Sequence, residues 1–464
     1  MPDQKPLEVA IIGGGITGVT LALGLQRRAI PFTIYERTPS FREIGAGIGF
    51  TPNAERAMRE LDPRIHQCFR EIATRNKDDY LRLVDGLSSD MKERLICEIG
   101  VSRDVADLTF LLGIVEHLPK ESVKFGKSIE AIEDVDGQQV QMTFEDGSTA
   151  QADVVIGCDG IHSKMRQLMF DTTHPACRPA YAHKFAFRGL ISAEKTQLLE
   201  QIYKNERLMH MVRYTQALCF QSSGIPASNT YLEGTEHLLG AVLTCQQGTD
   251  AHVVTFPVAA GKLVNVVAFV TDPHPWPLTD GKLVMPATKE DAVSAYTNFG
   301  PAVRHIISLL PDVLDKWAIF DMYDNPLPTF VRGRLGLAGD AAHPSSPNHG
   351  AGAGCGIEDA LALAEVLAAV QKKTSVVPIA AVIPEALEAY NEVRYERGQW
   401  LVESSRIVGT MYERQHEQTN DDEDEWRREF SLRCHTIWDF DVQAMVGWEL
   451  EAFERKLSKG SVST

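Results

Sequence analysis

The sequence predicts an α/β fold in which strand–turn–helix units are interrupted by an inserted mixed-sheet domain and followed by C-terminal helices. Apolar strand candidates run into glycine- or aspartate-bearing turns at three places, opening at Val9, Ala152 and Gly336. From about Tyr181 to Tyr296 the pattern changes to short mixed strands. Beyond Asp359, apolar residues recur at helical spacing. Residues 1–180 and 299–410 are read as two parts of one domain, 181–298 as the insertion, and 411–464 as a C-terminal extension.

Val9–Ala10–Ile11–Ile12 is the first strand candidate. Gly13, Gly15 and Gly18 follow in GxGxxG spacing, ahead of an apolar helical pattern through Leu25. The first glycine makes a tight turn, the second admits a pyrophosphate against backbone, and the third lets the helix pack close to the sheet. The helix N-terminus then faces the phosphates. A second strand ends at Glu36, whose carboxylate is placed to accept the ribose hydroxyls of an adenosine. Strand, glycines, helix, strand and acid in this order read as a dinucleotide site, without separating NAD from FAD.

The second unit runs from Ala152 into Gly157–Cys158–Asp159–Gly160, a sharp turn. Asp159 reads as a binding acid or as a turn former or helix cap, with Ser163 and Arg166 behind it. The third unit, Gly336–Asp340, again delivers an acid at a strand end. The glycines of 350–354 then allow close backbone approach, with Gly352 and Ala353 as cofactor-binding candidates, and a long amphipathic helix starts behind them. Asp340 can hold a ribityl or phosphate-linked hydroxyl, and the helix dipole opposes negative charge on a reduced flavin. This further site favours FAD over a plain NAD dehydrogenase.

In the insertion, Ala251–Val258 and Leu263–Val270 read as a hairpin on a substrate-covering sheet. Taken by themselves, Arg188 reads as a partner in a surface salt bridge and His252 as structural. Helices are expected over 360–370 and 380–405, with Arg394 and Arg397 as ion-pair partners or cofactor contacts. The run Asp421–Glu425 reads as solvated acidic surface. Trp438, Phe440, Met445, Val446 and Trp448 could anchor terminal packing or a homodimer contact.

The net charge of −17 argues against nucleic-acid binding, which needs a basic face. No apolar run reaches the roughly 18 residues of a membrane span, and the first eight residues lack a secretory core. The eight cysteines show no CxxC or Cys/His cluster, so no metal is expected and a reducing cytoplasm is the expected compartment.

GGGITG, YER, CDGIHSKMR and LAGDAAHPSSPNHGAGAG, in this order, resemble the single-component FAD aromatic hydroxylases over nearly the whole chain. The likeness extends to fungal salicylate-hydroxylase-like and phenol-dearomatising enzymes through 41–50, 183–190 and 265–269. It implies a Rossmann-like FAD-binding domain, NADH or NADPH as a transient reductant, O2, and a small phenolic substrate hydroxylated through a C4a-hydroperoxyflavin. It also implies that Arg188 holds a phenolate near the flavin. Phe256 stands where relatives carry an aromatic hydroxyl, so its part is ring packing; Tyr203 or Tyr214 could supply an OH instead. Asp107 stands where many relatives have Arg, with Arg103 four residues earlier, and 211–245 is longer than the matching connection. Salicylate-type decarboxylative hydroxylation and flavin binding without turnover are the alternative readings.

Overall fold

The computed structural model describes residues 6–41, 48–73, 80–89, 94–100, 104–106, 110–135, 137, 139–170, 172–192, 195, 243–259, 262–278, 281–373, 378–419 and 422–460. Arg103, Asp107, Tyr203, Tyr214, residues 42–47 and residues 211–242 lie outside them.

The chain opens with β1 (Val9–Ile12), α1 (Ile16–Arg27) and β2 (Phe32–Glu36). β3 (Ile48–Phe50), α2 (Pro52–Leu61), α3 (Pro63–Ile72), β4 (Tyr80–Asp85), β5 (Arg94–Gly100), β6 (Asp104–Ala106) and α4 (Phe110–Val115) follow. Next come β7 (Val123–Phe125), β8 (Ile129–Val135), β9 (Gln139–Phe144), β10 (Thr149–Ala152), β11 (Val154–Gly157) and α5 (Lys164–Met169). The later strands are β12 (Ala180–Ser192), β13 (Leu243–Gln247), β14 (Ala251–Val258), β15 (Leu263–Thr271), β16 (Val284–Thr288), β17 (Val313–Asp321), β18 (Val331–Arg332) and β19 (Leu335–Leu337). The later helices are α6 (Lys289–Ala295), α7 (Pro301–Ser308), α8 (Gly352–Lys373), α9 (Ile379–Tyr412), α10 (Glu423–Trp438) and α11 (Val442–Gly460).

Six strands form one sheet in the order β18-β19-β11-β1-β2-β7, with β1 parallel to both β2 and β11. All four residues of β1 and of β11 are buried, as a parallel strand covered on both faces requires. α8 packs against α1, α2, α9 and α11, so most of its circumference is apolar or small and buried.

The second large sheet has the order β16-β17-β12-β15-β14-β13-β4-β5. It draws strands from both sides of the 181–298 interval, because β4, β5 and β17 complete it. One face, through Phe185, Phe187, Val253, Val264, Val266 and Ala268, packs with residues of α6 and α7. The opposite face meets α9, α10 and the start of α8 through Leu83, Cys245, Ala351, Cys355, Leu401 and Trp426. Period-two alternation thus separates the strand residues that pack toward α6 and α7 from those, such as Cys245 and Val254, that meet Ala351 and Cys355.

The acidic run at 421–425 lies partly in a helix. Asp422 caps α10, accepting from the amides of Asp424 and Glu425, and the acids of its first turn oppose the helix dipole. Trp438 and Met445 are buried, while Trp448 is exposed.

Candidate active site

The three glycines of the opening turn occupy three different environments. Gly13 has φ +105°, and a Cβ there would lie 2.5 Å from the Cys158 carbonyl oxygen. Gly18 sits so close beneath the turn that a Cβ would come 2.1 Å from the Gly13 oxygen. Gly15 has nothing within 4 Å of its Cβ position and is exposed. The turn is therefore closed on the sheet side and open where a pyrophosphate would approach backbone, at the N-terminus of α1.

Glu36 ends β2 beside this turn. One of its oxygens accepts the Gly14 amide at 2.7 Å, and the other accepts the Thr38 amide and hydroxyl at 2.8 Å. A carboxylate offers about four lone-pair sites, so acceptor capacity remains after these bonds.

Asp159 follows β11 and is spent largely on its own chain. It accepts from the Ser163 hydroxyl at 2.5 Å and from the amides of Lys164 and Met165 at 2.7 and 3.0 Å. These bonds describe the helix-cap role. Burial raises its carboxyl, with the same bonds opposing the rise.

Asp340 differs. Its side chain is exposed, yet the fold crowds it enough to raise its carboxyl, against the pull of His343 and Arg166. An acid that is accessible but surrounded by protein marks the floor of a cleft. Its Oδ1 lies 3.8 Å from the Cβ position of Gly352, at the start of α8. Ala353 is half-buried beside the same core.

The three units are tied together by residues whose roles the motifs alone did not reveal. The Thr17 hydroxyl fills the space beside Gly339 and Gly356, 2.4 and 2.3 Å from their Cβ positions. Arg166 is fully buried and donates to the backbone oxygens of Ala341 at 2.9 Å and Asp340 at 3.3 Å. The fit to a dinucleotide rests on these features together: an open backbone turn, two helix N-termini and an accessible acid in one cleft.

Arg188 lies on β12 opposite Val267 of β15, which is opposite Val254 of β14, which is opposite Cys245 of β13. This row belongs to the sheet face that meets Ala351 and Cys355. The guanidinium stands 5.1 Å from the Trp317 ring, and burial lowers its pKa. The salt bridge expected from the residue alone does not form: Asp315 of β17 is the cross-strand neighbour of Arg188, but its side chain is exposed, and among the described residues no carboxylate lies within ion-pair distance of the guanidinium. Phe256 sits on the same face two residues beyond Val254.

His252 is buried, stacked on Phe269, and bonded through Nδ1 to Glu413 at 2.9 Å. Burial lowers its pKa, outweighing the Glu413 contact. Lys184 reaches the same carboxylate. This cluster fastens the end of α9 to the sheet, a structural task.

The FAD binding domain family matches residues 6–176 and 302–405. The FAD-dependent monooxygenase pigN of Monascus ruber is 47% identical over 465 residues, spanning 98% of each chain. This chain belongs to the class A FAD monooxygenases. Salicylate hydroxylase asL1 of Sarocladium schorii is 35% identical, spanning 99% of this chain and 94% of its own. A solved salicylate hydroxylase substrate complex has a TM-score of 0.78 at 29% identity, spanning 96% of this chain and 98% of that one. The monooxygenase is thus an FAD-dependent oxidoreductase of the aromatic-hydroxylating type, with NAD(P)H as reductant. No helix among its described residues is long and apolar enough to cross a membrane.

Behind the cleft, the monooxygenase buries a charge network. Arg394 donates to Asp359 at 2.7 Å and to Glu358 at 2.8 Å; Arg397 and Asn53 add bonds to Glu358. His343 bonds Asp359 at 2.6 Å. Burial would lower the His343 pKa, but Asp359 and Cys355 overcome it and raise it well above the ordinary value. Arg394 and Arg397 are therefore ion-pair partners. His343, Cys355 and Asp359 have ligand-like spacing, yet Arg394 also contacts the Cys355 sulfur at 3.1 Å, which places a cation where a metal would need none.

Proposed function

We propose that this monooxygenase hydroxylates a compact phenol held as its phenolate by Arg188. The observation that carries this reading is a half-buried guanidinium with no carboxylate within ion-pair distance among the described residues, on the sheet face that meets Ala351 and Cys355. A fixed positive charge there lowers the substrate phenol pKa and raises electron density on the ring. Trp317 supports the guanidinium from its own face. Phe256 supplies ring packing and no proton, and the apolar neighbours Val254 and Cys245 limit water. The cofactor-facing roles go to Gly13, Gly15 and Gly18 for the pyrophosphate, Glu36 for adenosine ribose, and Asp340 with Gly352 and Ala353 for the flavin side. Asp159 supports its turn from beneath.

Bound FAD, reduced by NADH or NADPH, supplies oxygen activation. A ring carbon bearing hydrogen would rearomatise after oxygen transfer, whereas a methylated carbon would remain quaternary and leave a hydroxy-dienone. Likeness to salicylate hydroxylases favours decarboxylative hydroxylation as the second reading.

The test incubates FAD-loaded enzyme with NADPH, or NADH, and labelled O2 across salicylates and polyketide-type phenols. One labelled oxygen in the product without loss of CO2 is expected; CO2 release from a salicylate supports the second reading. Arg188→Ala should lower kcat about 100- to 1000-fold, as expected for a lost anion-stabilising donor, with flavin content unchanged. Unchanged turnover and regiochemistry would remove Arg188 from the role.

A further inference from the structure

One core position of α11 is held by an acid. Val442, Met445, Ala452 and Phe453 are buried in the cluster shared with α8 and α9, and Val446 and Leu457 pack against it. These residues form one apolar helical stripe, and Glu449 falls inside it, four residues after Met445 and three before Ala452. Its side chain is fully buried, and neither carboxyl oxygen has a hydrogen-bond partner among the described residues. An unpaired ion enclosed in this way opposes folding, so the carboxyl holds a proton instead. Burial accordingly lifts Glu449 well above the usual carboxyl range, with Arg394 opposing the rise and Glu365 adding to it.

The charged groups on the helices packed against α11 are already engaged. On α9, Arg394 directs its donors to Asp359, Glu358, the Cys355 carbonyl and sulfur, and the Met445 sulfur. A guanidinium has five such donors, so none is left for Glu449. Arg397 bonds Glu358, and Glu392 pairs with Arg455 and Lys456. On α8, Glu365 pairs with Arg28, Lys373 with Glu454, and Asp359 with His343 as well as Arg394. On α2, Arg56 bonds the carbonyls of Trp438 and Phe440, and Glu60 bonds Gln443. An ionised Glu449 would therefore stay unpaired, or would draw Arg394 away from Met445, one helical turn back on the same face.

We propose that Glu449 is a pH-operated latch: protonated, it lets α11 dock on α8 and α9, and its ionisation as pH rises loosens that docking and the Arg394 network behind the flavin cleft. Position supplies the coupling. α8 begins at Gly352, and Arg394 holds Cys355 in its first turn. The direction follows from the two states of the acid. In the unfolded chain a glutamate ionises near about pH 4.3. The neutral folded form contributes fully below that value, and its contribution is lost as pH rises toward the folded one, by about tenfold in the folding equilibrium per pH unit.

The test follows thermal unfolding and flavin release of the FAD-loaded enzyme between about pH 5 and pH 9, in wild type, Glu449→Gln and Glu449→Met. Glutamine keeps the shape of the side chain and cannot ionise; methionine completes the apolar stripe. The readout is how each variant's gap to wild type changes with pH. Both variants should gain on wild type as pH rises, by about 1–2 °C in melting temperature per pH unit for a chain of this size. Both should also retain FAD at a pH where wild type releases it. A gap that stays constant across the range overturns the latch, because the carboxyl then does not change its protonation on unfolding. A gap that widens for Glu449→Met but not for Glu449→Gln overturns it too, since the effect would then come from apolar packing and not from charge. If melting temperatures diverge while all three proteins release flavin alike, the link to the Arg394 network is overturned.

Discussion

The six-stranded sheet offers its ligand mostly backbone, whereas the eight-stranded sheet offers side chains. At Gly15 the chain is bare and open, and the neighbouring glycines are defined by what a Cβ would strike. At Arg188 the backbone is ordinary paired strand, and the role proposed for it depends on which residues share its face. A backbone site must write its geometry into local sequence, because only glycine can occupy those positions. A side-chain site can be assembled from strands far apart in the chain, and its residue types carry no local mark.

Substitutions can break or sharpen this contrast. The largest effect is expected behind the nucleotide cleft. Arg394→Met leaves Glu358 and Asp359 buried with a lost partner, and removing one member of a buried ion pair costs about 3–5 kcal/mol. Thermal unfolding should show a severe loss of stability, and purified protein should carry little flavin. Retention of wild-type melting and full yellow colour would refute the structural reading of the network.

The eight-stranded sheet has its own buried anchor in Glu413. Burial would raise that carboxyl, but His252 and Lys184 outweigh it and bring it down to about 2. A depressed acid stabilises the fold fully above its unfolded value of about 4.3 and loses that contribution as pH falls through the folded one. Glu413→Gln should therefore be less stable at pH 7, with the gap to wild type closing between about pH 5 and pH 2. Chemical denaturation across that window checks it; a constant gap would mean the carboxylate charge is not the source.

Gly15→Ala against Gly18→Ala tests the backbone site directly. Gly15→Ala should fold normally, since its Cβ meets no protein atom, and should weaken FAD binding about 10- to 100-fold, the effect of about 1–3 kcal/mol of steric conflict. Gly18→Ala should lose stability as well, because its Cβ strikes the Gly13 carbonyl. Equal melting temperatures for the two variants would count against the separate roles assigned to them. The smallest effect is expected at Trp317. Trp317→Leu removes a cation–π contact of about 0.5–1 kcal/mol and should lower turnover roughly two- to fivefold, with FAD affinity unchanged.

Legibility in the sequence follows the same division. The strand-glycine-helix order at Gly13, the acids at strand ends and the hairpin of β14 and β15 could all be read, because each is local and each needs particular residue types. Arg188 needed a family likeness to stand out from any sheet arginine. Thr17, Arg166 and Trp317 could not be assigned from the chain alone, since their partners lie at Gly339, Asp340 and Arg188. Asp159 was readable as a binding acid or as a turn and cap residue, and its hydrogen bonds go to Ser163, the N-cap of α5, and to the first amides of that helix.

By itself, then, the sequence determined an FAD-binding α/β chain: the steric demands of a phosphate-accepting turn admit almost no residue but glycine, in fixed order with strand and helix. Tertiary structure decided which side chains share a face of the eight-stranded sheet. Strand register places Arg188 and Phe256 on one face of the eight-stranded sheet, with the exposed Asp315 of β17 as the cross-strand neighbour of Arg188 and, among the described residues, no carboxylate within ion-pair distance of it. Those are properties of three-dimensional neighbours, set by hydrogen-bond register and burial rather than by any residue's identity.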